Sequence, residues 1–202
     1  MRRGLLITLE GPEGCGKSTH SRRLARWLKG RGFSVVLTRE PGGTPLGRKL
    51  RSVLLDHRSQ GMTPWIELLL YEASRAALVN EVIRPALKAG RIVVVDRFQD
   101  STWVYQGWAG GVKLDWVERL GRAACQGLKP HLTLLLDLPV SKGLSRVSRP
   151  NRMERKPIAF HRRVREGYGA LARRHQRIRI IRTDAPVSEV QEKIRQVVQR
   201  VL

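Results

Sequence analysis

Cysteine is scarce: Cys15 and Cys125 are the only two in 202 residues. Two thiols cannot staple a disulfide framework, and Cys15 sits in a glycine-rich turn where a bridge would obstruct a ligand. A reducing, cytoplasmic setting is the expectation. Long apolar runs are also missing, and no stretch approaches the length of a membrane span. The first apolar run, Leu5-Leu6-Ile7-Thr8-Leu9, follows two arginines, but it is too short for a secretory signal and lacks a small-residue cleavage site. Acidic residues are few, with 17 Asp and Glu against 39 Lys and Arg, a net charge of +22. That imbalance suits polyanionic partners such as phosphorylated small molecules, nucleic acid or a membrane surface, although the bases are scattered along the chain and only densest between Lys142 and Arg182. No repeat, low-complexity tract or linker interrupts the sequence, so a single domain over residues 1–202 is expected.

What is present is an alternation of two periods. Short runs rich in Val, Ile and Leu occur at 5–9, 35–38, 92–96, 132–138 and 177–183. They lack the polar alternation of half-exposed strands and read as strands buried on both faces of a parallel sheet. Helical stretches separate them, at 18–29, at 64–88 opened by Thr63-Pro64, and after Asp184-Ala185-Pro186. The expectation is an α/β fold, a doubly wound parallel sheet of about five strands with helices on both faces.

Gly11-Pro12-Glu13-Gly14-Cys15-Gly16-Lys17-Ser18 matches G-x-x-x-x-G-K-[ST] between a strand and a helix, the context a phosphate-binding loop requires. Its glycines let successive N–H groups converge on phosphate oxygens, and the following helix adds its positive end. Lys17 is expected on the β- and γ-phosphates of ATP and Ser18 on Mg²⁺. A helix N-terminus lowers a thiol pKa, so Cys15 is expected to react with thiol reagents.

Asp96-Arg97 ends the third strand run. A carboxylate there suits a Walker-B role toward Mg²⁺, and Arg97 could clamp an acceptor phosphate; an ordinary surface ion pair fits the same residues. Tyr71 and Arg75, four apart on the long helix, could stack on a base and bond its edge, or form a surface cation–π pair.

Together these pieces closely resemble one family. The loop with Thr19, the segment Thr38-Arg39-Glu40-Pro41-Gly42-Gly43-Thr44, Tyr71-x-x-x-Arg75, the block Asp96-Arg97-Phe98-x-x-Ser101-Thr102-x-x-Tyr105-Gln106-Gly107, and Asn151-Arg152-Met153-Glu154 ahead of Phe160 are similar to bacterial thymidylate kinases over nearly the whole chain. The resemblance implies transfer of a phosphoryl group from MgATP to dTMP, in a homodimer. It implies that residues 11–19 hold ATP. It implies a dTMP site of Glu13, Arg39, Glu40, Pro41, Tyr71, Arg75, Arg97, Ser101, Thr102, Tyr105 and Gln106. Within it Tyr71 would stack on thymine, Arg75 would donate to O4, Thr102 would approach N3, Tyr105 would crowd the sugar C2′ and Arg97 would hold the phosphate. Glu13 would face the 3′-hydroxyl or the acceptor side of the metal.

Some members carry an arginine inside the phosphate loop; here that position is Gly14. The catalytic charge is therefore expected from a lid at about 143–157, with Arg149 first and Arg146 and Arg152 behind it. Two other readings compete: a kinase for another nucleoside monophosphate, and a nucleic-acid-binding P-loop ATPase. The sequence argues against the second, because the tryptophans do not track the densest basic segment. Apolar positions nearly all round the helix at 64–88 hint at a subunit interface.

Overall fold

A computed structural model describes residues 4–59 and 61–202. Met1, Arg2 and Arg3, the basic start noted above, lie outside them. Among the described residues, β1 (Leu5–Glu10), β2 (Val35–Arg39), β3 (Ile92–Asp96), β4 (Leu132–Asp137) and β5 (Ile178–Arg182) form one parallel sheet in the order β2-β3-β1-β4-β5. The doubly wound sheet is as expected. β3 is buried throughout, which its Ile-Val-Val-Val run permits.

Side-chain alternation divides the strands between two cores. Ile7, Leu9, Ile92 and Val94 pack under α1 (Lys17–Gly30) and α9 (Val187–Gln199), through Leu24, Leu28, Val190, Ile194 and Val198. Leu6, Val93 and Val95 face Leu78, Val79 and Ile83. Leu135 and Ile178 meet Val164, Tyr168 and Leu171 of α8 (Ile158–Arg174). Each such leucine or isoleucine contributes about 1.5–3 kcal/mol by leaving water.

Two expectations need correction. The strands are not all buried on both faces: β2 and β5 are sheet edges, and in β5 Arg179 and Ile180 are exposed, Ile180 to 57%. An edge strand has a neighbour on one side only, so its outer positions tolerate arginine. The long helix spans the expected residues but is not α-helical throughout. It runs as α3 (Pro64–Leu78), a widened π turn (Val79–Ile83) and α4 (Arg84–Lys88). Pro85 has no N–H to donate and would clash with the carbonyl four residues back, and the wide turn accommodates both defects. A second π segment, Trp103–Ala109, continues the short α5 (Gln99–Thr102). α2 (Pro45–Leu55) is capped by the Thr44 side chain, which accepts from the Gly47 N–H at 2.9 Å. α6 (Leu114–Ala124) and α7 (Val140–Leu144) complete the helices used below.

Candidate active site

Register brings the site together. Leu9 pairs with Asp96, and Asp96 pairs with Arg39, so the C-terminal ends of β1, β3 and β2 deliver residues 10–18, 96–97 and 39–41 to one crevice. Parallel sheets place their ligand sites there. The crevice is a cavity of about 500 Å³.

At one end lies the phosphate loop. Gly14 has φ 67°, and a Cβ there would run into the Gly143 carbonyl, so only glycine fits. Lys17 is folded across the loop, donating to the carbonyls of Gly11 at 3.0 Å and Pro12 at 2.7 Å. Ser18 Oγ donates to Asp96 Oδ2 at 2.5 Å. Glu13, Gly14, Gly16, Lys17, Ser18 and Thr19 line the cavity; Gly11, Pro12 and Cys15 do not. Cys15 is only 1% exposed, and burial raises its thiol pKa although Lys17 opposes this. Burial thus counts against the expected low-pKa, reagent-sensitive thiol.

At the other end, side chains do the building. Arg97 has φ 68°, rare for a residue with a Cβ, and its guanidinium is held from several sides. It donates to Glu13 Oε2 at 2.7 Å, Ser101 Oγ at 3.1 Å, and the hydroxyls of Tyr105 and Tyr168, each at 3.2 Å. Tyr105 in turn donates to Glu13 Oε1 at 2.8 Å. Burial opposes the Glu13 charge, but Arg97 and Lys17 prevail and hold the carboxyl below its ordinary pKa. Tyr105 is pushed well up by burial, so it remains a phenol that can donate.

Arg75, 1% exposed, is fully engaged. It donates to Glu40 Oε2 at 2.7 Å, Gln99 Oε1 at 2.6 Å and Thr102 Oγ1 at 2.8 Å, with Glu72 Oε1 at 2.8 Å. Two carboxylates share this one buried guanidinium, and burial raises Glu40 to about 8. The Tyr71–Arg75 pair is therefore no surface cation–π contact: half-buried Tyr71 and buried Arg75 both line the cavity. Arg39, Glu40, Pro41, Ser101, Thr102 and Gln106 line it too.

The segment after α7 divides. Arg146 and Arg149 are exposed and line the cavity, and Arg146 reaches the Gly14 carbonyl at 3.4 Å. Arg152 does not join them. It is buried, donating to the Leu54 carbonyl at 2.9 Å and to Glu67 Oε1 at 2.7 Å. The expectation of a catalytic role for it loses its geometric support, because its guanidinium is already paired away from the cavity.

Sequence reading missed two residues. Arg51 of α2 is half-buried, lines the cavity and donates to the Pro41 carbonyl at 3.0 Å. It was hidden among the surface bases of its own helix. Glu10 ends β1 and accepts from Phe98 N at 2.7 Å, Ser101 Oγ at 2.5 Å and Tyr168 Oη at 3.0 Å. Burial, then Asp100, raises it to about 7. A carboxylate closing a buried strand was the available signal.

A family model described as thymidylate kinase matches residues 9–194. The chain belongs to the thymidylate kinase family. It is 48% identical over 197 residues to the thymidylate kinase of Desulfovibrio desulfuricans, covering 92% of this chain and 91% of that one. It is 46% identical over 198 residues to that of Deinococcus radiodurans, with 96% of each chain covered. The crystal structure of thymidylate kinase from Ehrlichia chaffeensis superposes with a TM-score of 0.82 at 30% identity, over 97% of this chain and 99% of that one. Thymidylate kinases are ATP-dependent phosphotransferases, and the two ends of the cavity match that division of labour: a phosphate loop at one, a pocket of paired arginines at the other. No helix among the described residues is long and apolar enough to cross a membrane.

Proposed function

We propose that this chain moves the γ-phosphate of ATP onto dTMP within the cavity, giving dTDP and ADP, with the loop 11–19 on the donor and the Arg97–Glu13–Tyr105 cluster on the acceptor. The observation that carries this reading is the single cavity shared by Lys17 and Ser18 on one side and Arg97 and Tyr71 on the other. Lys17, now on loop carbonyls, is within reach of any phosphate seated there. Arg97 is preorganised, so it gives up little freedom on meeting the acceptor phosphate. Tyr71 offers a flat face to the base, and Arg75 with Thr102 fixes the wall behind it. Arg39, Glu40, Pro41, Ser101 and Gln106 complete the dTMP side, and Arg51 adds a further cation.

Ser18 Oγ and Asp96 Oδ2, 2.5 Å apart beside the loop, form a hard oxygen pair suited to Mg²⁺. Among the described residues no cluster of three or more His, Cys, Asp or Glu side chains could cage a metal alone. Mg²⁺ held by the Ser18–Asp96 pair would take waters and phosphate oxygens as its other ligands. When bound, Mg²⁺ would neutralise charge on the transferring phosphoryl group. Arg149 and Arg146 supply the mobile positive charge that Gly14 does not, from a lid at about 143–157.

The exposed Trp65, Ile66, Leu69 and Trp116, with the rings of Trp65 and Trp116 5.9 Å apart, form an apolar face suited to a homodimer in a cytoplasmic enzyme. Sedimentation at micromolar concentration tests the dimer. An ADP-release assay across dTMP, dUMP, UMP, CMP and AMP tests the activity. Turnover is expected to be fastest with dTMP. Turnover with single-stranded DNA and none with any monophosphate would sink the reading.

A further inference from the structure

Glu67 lies on α3 and is 0% exposed, yet it is neither among the cavity-lining residues nor part of the apolar face. Such a carboxylate needs partners, and all of its partners bear on the site. Oε1 accepts from Arg152 Nη1 at 2.7 Å and from Lys156 Nζ at 3.1 Å. Oε2 accepts from the Gln106 side-chain amide at 2.8 Å. Arg152 and Lys156 close the segment that carries Arg146 and Arg149, and Gln106 is in the cavity wall. Glu67 also shares a helical stripe with Tyr71 and Arg75, four and eight residues on.

The segment is held at both ends. At its start, α7 lies against the phosphate loop so closely that a Cβ on Gly143 would meet the Glu13 carbonyl. At its end, Arg152 also donates to the Leu54 carbonyl, and its own N–H reaches the Leu55 carbonyl at 3.3 Å. Between these clamps, residues 145–149 carry exposed or half-exposed side chains. We infer that Glu67 is a positioning residue for phosphoryl transfer: it anchors the far end of the arginine-bearing segment to the wall of the acceptor pocket, so that the arginines meet the cavity in register with the bound acceptor. The inference rests on the reading of that segment as the source of catalytic charge. Glu67 touches no reacting atom. It acts through Arg152 and Lys156 on the segment, and through Gln106 on the wall.

The test is Glu67→Gln, which keeps shape and one acceptor oxygen but removes the charge that holds two cations. Folding is checked by circular dichroism and thermal melting. The expected result is a kcat lowered about 10²-fold, the cost of a misplacement near 1 Å, with KM for dTMP little changed. ADP release should exceed dTDP formation, because a displaced segment admits water. A purely structural role would not raise that ratio. In the background of Arg149→Ala or Arg146→Ala, whichever costs more, Glu67→Gln should add no further loss. An undiminished loss in that background, or wild-type kcat with equal ADP and dTDP, overturns the proposal. Arginine variants that keep full kcat overturn the underlying reading of the segment as well, and so identify which of the two failed. If Glu67→Gln does not fold, Glu67→Gln with Arg152→Met removes the buried pair together, leaves only the partly exposed Lys156 without its carboxylate, and takes the same readouts.

Discussion

The two ends of the cavity are built by opposite means. The phosphate-loop end is one contiguous stretch whose working groups are backbone N–H, a lysine and a hydroxyl, shaped by glycines such as Gly14 at φ 67°. The other end, proposed for the acceptor, is assembled mostly from side chains far apart in sequence: Glu13 with Arg97, and Glu40, Gln99 and Thr102 around Arg75, joined by Glu72 one turn before it. A backbone cradle needs only local geometry. A cradle of buried charges needs every partner present, because an unpaired ion in the interior is costly. The acceptor end should therefore couple function to stability, while the exposed arginines facing the loop should not.

The sharpest test of that contrast is Arg149→Ala. If Arg149 acts as the finger, kcat should fall by about 10³-fold or more with the melting temperature unchanged. A loss below about tenfold at unchanged KM moves the role to Arg146. Arg75→Met should behave in the opposite way. It strands Glu40 and Glu72 and should cost about 3–5 kcal/mol of unfolding free energy in denaturant titration. An unchanged denaturation midpoint would mean the network is no more costly to break than the loop.

A smaller effect is expected from Glu10, which lies between the two ends. Its folded-state pKa of about 7 lies above the ordinary 4.5, so the folded protein holds the extra proton. Its stabilising contribution is full below pH 4.5, declines as pH rises, and is gone above about 7. Glu10→Gln should therefore flatten the fall in melting temperature between those two pH values; an unaltered slope would exclude Glu10 as the titrating group. Smallest is the effect of iodoacetamide on the native enzyme, where buried Cys15 should leave activity intact. Rapid inactivation that ATP prevents would restore a reactive loop thiol.

The elements themselves were largely legible in the sequence. Hydrophobic period and the strand–loop–helix context of residues 11–18 sufficed for the sheet and the phosphate loop, since both depend on local pattern. The wide turn ahead of Pro85 was not read, although its cause, a missing N–H, is as local as the pattern it modifies. Arg152 could not be told from its neighbours for a different reason. Three arginines at even spacing look alike along a chain, and only packing shows that one pairs with Glu67 while the others stay exposed. Arg51 was missed because one base among many carries no pattern of its own, whereas Glu10 closes a buried strand as Asp96 does and was overlooked beside the phosphate loop that follows it.

The sequence by itself determined the phosphate loop and its place between β1 and α1, because such a loop is written in consecutive residues. The tertiary structure alone decided which charged side chains face the cavity and which are sealed behind it. A guanidinium buried beside Glu40, or beside Glu67, acquires its role from a partner tens of residues away. Those contacts exist only once the sheet register has brought β1, β2 and β3 to a common edge.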